Sequence, residues 1–387
     1  MIDSISHNSL IEAPAAPKRS RLEESWKLLR RNRLAFMGLA IFVLFFFVAI
    51  GGGLLTYGTR PVFNPSLVRL PEKLLPPFSS PDLITLAPEQ IPTLGIYLFG
   101  TDDLGRDVFA RMLQGAWVSL TVGFVAVGIS VFIGILMGGL AGYFGENRVK
   151  VHHLIVAFCT MVGLGLLVAG AFYPAGILLL IGIFLSVFMT RSKTLRHDTG
   201  RHGWTKFLFI EAISIDSFIM RFVDIMLCFP SFFLILTVVA ILPASIYNIM
   251  IVIGLTSWMG TTRFVRAEFL SLREQDFVTA ARALGINNVR IIFRHMIPNA
   301  IAPVLVSATI GIATAILIEA GLSFLGFGVP PPDATWGNVL ADGRRFIFDA
   351  PWLTFIPGVA ILIVVLSFNL FGEGLRDILN PKLRERN

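Results

Sequence analysis

Long stretches without a charged side chain constrain this chain more than any other feature. No Asp, Glu, Lys or Arg occurs between Met112 and Gly145, between Leu154 and Thr190, or between Ile225 and Thr262. About 18 or more consecutive apolar residues are enough to cross a bilayer as a helix. Only 15% of the residues are charged, whereas a soluble domain carries about 25%. The sequence therefore predicts an all-α polytopic membrane protein.

Prolines and charged segments divide the apolar stretches into spans. Two stretches are too long for one tilted helix, and Tyr173-Pro174 and Leu242-Pro243 mark the turns within them. This division predicts about eight transmembrane helices, at 34–55, 116–141, 154–171, 175–190, 222–241, 247–262, 300–325 and 352–372.

The spans and the segments between them give a predicted domain organisation. In chain order it comprises an N-terminal tail (1–33), a first transmembrane helix (34–55), a proline-rich extracytoplasmic loop (56–111), a second transmembrane helix (112–145), an inserted membrane hairpin with a basic cytoplasmic loop (146–215), a transmembrane core (216–372) that contains the loop 263–298, and a C-terminal tail (373–387).

The distribution of basic residues predicts the orientation, because cytoplasmic loops carry an excess of Lys and Arg. With the N-terminus inside, 25 of the 32 basic side chains fall on the cytoplasmic side. Both termini are therefore expected in the cytoplasm. The net charge of +7 lies in loops between apolar segments, so we expect contact with membrane lipid and no binding of nucleic acid.

The charged loop 263–298 has the pattern of two short helices. Phe277, Ala280, Ala281 and Leu284 recur at helical spacing on one face. Gly285 suits the left-handed position that closes a helix. Asn287 can cap a second helix, and Pro298 is expected to end it before the membrane. One interpretation is a rigid knob whose small residues let a partner approach closely, and the other is a solvated loop whose basic residues only set the topology.

This loop resembles the cytoplasmic signature of permeases in binding-protein-dependent ABC importers. In that family the signature docks on the ATPase, so the resemblance gives a coupling role to Phe277, Thr279, Ala280, Ala281, Leu284, Gly285, Ile297 and Pro298. The matches in register are Ala280, Ala281, Gly285 and Pro298, with Ile297 in place of Leu, Thr279 in place of Glu and His295 in place of Ile.

Four other segments resemble one branch of that family, the second permease component of dipeptide and oligopeptide importers. They are residues 26–50, residues 99–109, residues 220–225 with 229–231, and residues 319–326 with 336–338. The chain departs from the family pattern at 146–215, because such permeases pass almost directly from the equivalent of Gly145 to that of Asp216. The insert is either a lipid-facing hairpin or a contact for an accessory subunit.

The resemblance implies an ABC importer permease fold with six family-like spans plus the inserted hairpin. It implies a permease subunit of the bacterial inner membrane that forms a pathway for di- or oligopeptides or a related small solute. Its expected partners are two ABC ATPase subunits, a second homologous permease and an extracytoplasmic solute-binding protein. The chain lacks the Gly-x-x-x-x-Gly-Lys-Ser/Thr loop of ATPases, so we expect no enzymatic activity and no cofactor.

The alternative function is that of a secondary transporter or channel that does not depend on ATP. Such proteins usually carry charged residues near the middle of the bilayer or internally repeated halves. The sequence shows neither clearly.

Four charged residues precede the second span, namely Asp102, Asp103, Arg106 and Asp107. They are interpreted either as a site that contacts the binding protein or a peptide terminus, or as a turn and helix cap. In the second case Asp102 and Asp103 would interact with the helix dipole.

Three charged residues fall within or beside predicted spans. Glu319 is a functional candidate, because charges inside the membrane usually have a role, although it could instead reach the interface or bond to a neighbouring helix. Arg221 and Asp224 are three residues apart, and this spacing predicts a local ion pair. His152 and His153 would diverge on a helix, so no metal site is predicted.

Overall fold

The computed structural model describes residues 29–145, 148–150, 156, 159–160, 176–184, 186 and 211–379. The regular secondary structure of the described chain is almost entirely helical. Its helices are α1 (Arg33–Thr56), α2 (Val108–Phe144), α3 (Ile215–Leu227), α4 (Ser231–Ile241), α5 (Ile246–Arg273), α6 (Asp276–Ala283), α7 (Asn288–Ile291), α8 (Ile297–Phe324), α9 (Trp336–Gly343) and α10 (Trp352–Leu379). Short 3-10 turns cover Leu70–Glu72, Pro88–Gln90 and Arg344–Phe346, a π-helical turn covers Ile292–Met296, and the strands are β1 (Arg148–Lys150) and β2 (Glu211–Ser214).

Several of these helices are long and apolar enough to cross a membrane. They are α1, α2, α10 and the continuous helix Asn288–Phe324 that contains α8, and the bent pair α3–α4 makes a fifth if it counts as one span. The predicted class of an all-α polytopic membrane protein is confirmed. The number eight stays a prediction, because the predicted spans 154–171 and 175–190 lie largely outside the described residues.

The predicted span 222–241 is not one straight helix. α3 ends at Leu227, α4 begins at Ser231, and the two axes differ by 79°. Pro230 lies at the break, where a proline lacks an N–H donor and disfavours a helical conformation of the preceding residue. The sequence prediction missed this bend because it used only the length and polarity of the segment.

Packing shows that α2 and α5 run in the same direction. An added Cβ at Gly134 would meet Thr261, and one at Gly142 would meet Phe269, so the contacts advance along both helices together. The Cβ at Gly142 would lie 2.5 Å from the Cβ of Phe269, which means that glycine permits this close helix approach. α5 contains the predicted span 247–262 but is not among the helices that are long and apolar enough to cross a membrane, so this span stays a prediction.

The two strands bring the ends of the insert together. β1 and β2 pair in antiparallel register, with Arg148 opposite Ser214 and Val149 opposite Ile213. The intervening chain thus leaves and returns at one place. The membrane hairpin predicted within the insert stays a prediction, because most of 154–190 lies outside the described residues.

The two ends of the described chain lie on the same face of the helix bundle. α1 packs antiparallel to α10, so that Ala35 contacts Gly374 and the Asn32 Nδ2 donates to Asp377 Oδ2 over 3.5 Å. We call this end, which also carries α6 and α7, the knob face. The opposite end carries the loops 57–107 and 325–351 and is called the loop face.

Candidate functional site

The knob, defined as residues 276–296, joins α5 to α8 through two short helices. α6 ends in a hydrogen-bonded turn in which the Ile286 N–H donates to the Ala281 oxygen over 3.1 Å and the Gly285 N–H donates to the Arg282 oxygen over 2.9 Å. Gly285 has a φ of +74°, as the sequence predicts, because a residue without Cβ adopts this conformation at little cost. The turn fixes the angle between the two helices.

The second half of the knob continues into the membrane helix without a stop. Asn287 Oδ1 accepts from the Val289 N–H over 3.1 Å and caps α7, as predicted. The expectation that Pro298 ends this helix is wrong, since Asn288–Phe324 forms one helix. The π-helical turn Ile292–Met296 precedes α8, and Pro298 is the second residue of α8, directly after this wider turn. The second half of the knob is thus continuous with α8.

Apolar side chains anchor the knob to the rest of the protein. Val278 and Ala281 of α6 are buried, as are Ile291 and Met296. These four residues share a cluster with Tyr143 of α2, Val265 and Phe269 of α5, and Ala300 and Val304 of α8. The knob is therefore held by three long helices at once.

Two polar contacts fix the knob against the end of α2. The Tyr143 hydroxyl donates to Asn288 Oδ1 over 2.7 Å. The Arg282 guanidinium lies 5.0 Å from the centroid of the Tyr143 ring, within the range of a cation–π contact. One tyrosine thus contacts both short helices.

The four residues predicted to share the partner-facing side of α6 differ in their exposure to solvent. Leu284 is 80% exposed and Phe277 is 40% exposed, whereas Ala281 is only 5% exposed and packs inside the chain. Ala280 is exposed beside Phe277 and Leu284. Placing Ala281 on the partner face was therefore wrong, since the helix uses that side to anchor itself.

The remaining signature positions are accessible to different degrees. Thr279 is exposed, and its hydroxyl donates to the Gln275 carbonyl oxygen over 3.1 Å within its own helix. Pro298 is exposed and Ile297 is half-buried at the start of α8. Of the signature positions from 277 to 284, Phe277, Thr279, Ala280 and Leu284 are therefore accessible to a partner.

On the loop face, Asp102 lies at the centre of a buried charge network. Asp102 is fully buried, and its Oδ2 lies 2.6 Å from both Arg106 Nε and Arg111 Nη1. Asp342 of α9 completes the network at 2.9 Å from Arg111 Nη1 and 3.1 Å from Arg106 Nη2. Asn338 Oδ1 accepts from Arg111 Nη2 over 3.3 Å. We call these five residues the outer network, and they join the start of α2 to α9.

The helix cap predicted at Asp102 and Asp103 is formed by Asp107 instead. Asp107 Oδ1 accepts from the Phe109 N–H over 2.8 Å at the start of α2. Burial raises the pKa of Asp107, and burial together with the neighbouring Asp102 raises the pKa of Asp103. Asp102 accepts from the N–H groups of Leu104 and Arg106, each over 2.9 Å, so it shapes the preceding turn. The structure therefore has a turn stabilised by Asp102 and a helix cap at Asp107.

Glu319 is fully buried between helices near the loop face. Its carboxylate accepts from the Ser323 hydroxyl over 2.7 Å and from the Ser119 hydroxyl of α2 over 3.4 Å. Thr335, at the start of α9, donates to the Ser323 hydroxyl over 3.4 Å. Of the sequence alternatives, the structure places Glu319 in a bond to a neighbouring helix.

The predicted ion pair between Arg221 and Asp224 is wrong. Asp224 pairs with Arg263 of α5, with Oδ1 at 2.5 Å from Nη2, while Arg221 is exposed. Asp216 makes a second pair of this kind with Arg266, whose Nη2 donates over 2.5 Å. These pairs attach α3 to α5.

Comparison with known proteins gives consistent matches over most of the chain. Residues 213–385 match the family model of the binding-protein-dependent transport system inner membrane component. The chain belongs to this family. Residues 20–77 match the N-terminal transmembrane domain of oligopeptide transport permease C.

Three relatives illustrate how far the similarity extends. The dipeptide transport system permease protein DppC of Alkalihalophilus pseudofirmus is 36% identical over 93% of this chain and 90% of its own length. The di/tripeptide permease protein DppC of Pseudomonas aeruginosa is 33% identical over 98% of both chains. The oligopeptide permease protein OppC of Bacillus subtilis is 30% identical over 92% of this chain and 88% of its own length. The chain is a multi-pass permease of the inner membrane.

Several residues that shape this permease escaped the sequence analysis. Val278 adjoins Phe277, and only the packing distinguishes the buried residue from the exposed one. Arg111 and Asp342 are 231 positions apart, so no local spacing could pair them.

Oxygens of Asp102, Asp103 and Asp342 lie within 4.8 Å of one another, but Arg106 and Arg111 already supply the positive charge there.

Proposed function

We propose that this permease forms half of the translocation pathway of an ATP-driven importer for di- and oligopeptides. Two ABC ATPase subunits would supply the energy, a second homologous permease the other half of the pathway, and an extracytoplasmic binding protein the solute. The names of the relatives support a peptide substrate, since all three are described as peptide permeases. The knob face would be cytoplasmic, in line with the distribution of basic residues.

The observation that carries this proposal is the exposed apolar surface of the knob. Phe277 and Leu284 are accessible to solvent. A loop that needed no partner would be expected to bury such large apolar side chains against its own chain. Exposed apolar residues that surround small ones are typical of a surface that another protein covers. The ATPase pair would bind here.

The anchoring of the knob suggests how ATP would drive transport. Closure of the ATPase pair would carry α6 and α7 with it. Because the buried cluster ties the knob to the ends of α2, α5 and α8, these helices would move as a rigid unit. Such a movement can switch access between the two sides of the membrane. A secondary transporter or channel would have no use for this surface.

Two adjacent alanines allow a direct test of docking. In a chain with Cys159 and Cys228 replaced by serine, Ala280→Cys should form a cross-link to the co-purified ATPase, whereas Ala281→Cys should react poorly because it is buried. Equal cross-linking of the two variants would contradict the assigned contact surface.

Transport measurements extend this test to function. Ala280→Asp introduces a charge at the docking surface and should abolish most ATP-dependent peptide uptake by the reconstituted importer. Ala280→Ser is the matched control and should retain uptake, because it adds neither charge nor much volume. Uptake by Ala280→Asp at the wild-type rate would refute the proposed docking role.

A further inference from the structure

A groove of about 660 Å³ lies on the outside of the helix bundle, close to the knob face. α8 forms its floor, because α8 packs against both α5 and α10. Phe264 and Glu268 of α5 line one wall, and Arg376 and Leu379 of α10 line the other. Pockets that bind small ligands have volumes of about 300–1,000 Å³, so the groove is large enough to hold one.

The groove crosses one boundary of the membrane. Glu268, Asn299 and Arg376 lie just outside the predicted spans, whereas Ala302 to Ile310 lie within the span 300–325. Apart from a serine, the side chains that this second segment contributes are apolar. From Asn299 to Ile310 the helix rises by about 16 Å, which is close to the depth of one leaflet of the hydrocarbon core, about 15 Å. The groove is therefore charged at the level of the lipid headgroups and apolar below it.

The two charged residues of the groove have opposite signs, and neither is paired within the described chain. Glu268 is half-buried and Arg376 is exposed on the opposite wall. Burial raises the pKa of Glu268, and no neighbouring cation among the described residues offsets this shift. A cation beside a half-buried carboxylate stabilises its charge, and a guanidinium binds phosphate well. The groove thus fits a ligand that carries both a cation and a phosphate.

Among membrane lipids, phosphatidylethanolamine has this combination of groups. Its phosphate matches Arg376, its primary ammonium group can donate to Glu268, and an acyl chain can follow the apolar segment of α8. Phosphatidylglycerol has no cation for Glu268, and the choline group of phosphatidylcholine has no N–H to donate. A dipeptide carries both charges but has no long apolar part to cover Val306 and Ile310.

We propose that the groove between α5, α8 and α10 binds phosphatidylethanolamine from the leaflet on the knob face, with Glu268 holding the ammonium group and Arg376 the phosphate. The proposal is independent of the transported solute, because it uses only the position of these helices in the membrane. The bound lipid would contact α8, which is continuous with the second half of the knob.

The experiment uses the full-length protein purified in mild detergent together with the subunits that accompany it, and native mass spectrometry counts the bound lipids. The probes are phosphatidylethanolamine, phosphatidylcholine and phosphatidylglycerol with identical acyl chains, each titrated separately. Phosphatidylethanolamine should bind about tenfold more tightly than the other two, because only it makes the charged hydrogen bond to Glu268. Equal affinities for phosphatidylethanolamine and phosphatidylcholine would overturn the proposal.

Charge-neutralising variants test the two headgroup contacts. Glu268→Gln should lower the affinity for phosphatidylethanolamine to that for phosphatidylcholine. Glu373→Gln is the matched control, since Glu373 is exposed on α10 outside the groove lining. Arg376→Gln should weaken the binding of all three lipids, because each carries the phosphate. An unchanged preference for phosphatidylethanolamine in Glu268→Gln would refute the assignment.

A bulky substitution tests the position of the site. Ala302→Trp should fill the groove and remove the bound phosphatidylethanolamine, because Ala302 lines it. Ile301→Trp is the control, since Ile301 is 42% exposed and lies outside the lining. Full lipid binding by a folded Ala302→Trp protein would overturn the proposal. If this variant does not fold, the comparison of Glu268→Gln with Glu373→Gln decides.

Two further outcomes would assign the groove to another occupant. An excess of dialanine should leave the bound phosphatidylethanolamine in place, and its displacement would mean that the groove takes a peptide instead of a lipid. If Ala302→Trp releases another permease subunit and leaves lipid binding unchanged, the groove is a contact between subunits and the lipid site is refuted.

Discussion

The knob and the outer network lie at opposite ends of α2. The knob exposes apolar side chains, whereas the outer network buries charged ones. In the knob, apolar Phe277 and Leu284 are exposed. In the outer network, charged Asp102 and Arg111 are buried and paired with each other. Each end thus departs from the usual placement of apolar residues inside and charged residues outside.

The difference indicates which end depends on a partner. The outer network satisfies its own charges, because two arginines lie between Asp102 and Asp342. The exposed surface of the knob has no comparable completion within the described chain. We therefore expect substitutions in the outer network to affect folding, and substitutions on the exposed knob surface to affect assembly and transport.

Removal of Asp102 should give the largest loss of stability. Asp102→Ala leaves Arg111, which is 3% exposed, without its nearest carboxylate. Breaking a buried pair in this way costs about 3–5 kcal/mol. The measurement is the thermal unfolding midpoint of the purified protein in detergent.

Asp103→Ala is the matched control for this variant. Asp103 is partly exposed and lies 4.0 Å from Arg106 Nη2, so its loss should cost less than about 1 kcal/mol. Similar midpoints for the two variants would show that the outer network contributes no special stability.

Ala281→Asp should be the next most damaging change, through the anchor of the knob. It places a carboxylate among Val278, Phe269 and Met296, which are all buried. We expect a loss of about 2–4 kcal/mol in the free energy of unfolding.

Ala280→Asp, one residue earlier, separates the anchor from the exposed surface. It should change stability by less than about 0.5 kcal/mol, because the side chain is exposed. A comparable destabilisation by both variants would mean that α6 is not divided into a buried and an exposed side.

The hydroxyl of Tyr143 should contribute a smaller amount. Tyr143→Phe removes the hydrogen bond to Asn288 but keeps the ring beneath Arg282, so we expect a loss of about 1 kcal/mol. Tyr247→Phe is the control, since Tyr247 is 71% exposed. A thermal midpoint equal to that of the control would show that Asn288 bonds equally well to water.

The sequence was sufficient for features that depend on local spacing. The class of membrane protein follows from uncharged stretches, and the knob from helical spacing together with Gly285 and Asn287. Phe277 and Val278 show the limit of local information, because both are apolar and adjacent in the sequence. Only the packing of the knob against the ends of α2, α5 and α8 determines that Val278 is the buried one.

Long-range partners explain the predictions that failed. Asp224 has Arg221 at a favourable helical spacing, yet it pairs with Arg263 of α5, which is 39 positions further along the chain. The outer network likewise depends on Asp342, which only the packing of α9 against α2 brings to Arg111. Neither the bend angle nor this packing can be read from periodicity.

The smallest expected effect concerns the pair between Asp224 and Arg263. Both side chains are about half exposed, so Asp224→Ala should lower the free energy of unfolding by no more than about 0.5 kcal/mol. Arg221→Ala should leave it unchanged. The Asp224→Ala effect should disappear in about 1 M salt, where charges are screened within about 3 Å. A double-mutant cycle decides between the two pairings, because non-additivity of Asp224→Ala with Arg263→Ala, and additivity with Arg221→Ala, follows only from the contact between helices. The reverse result would restore the local pair and would place α3 differently against α5.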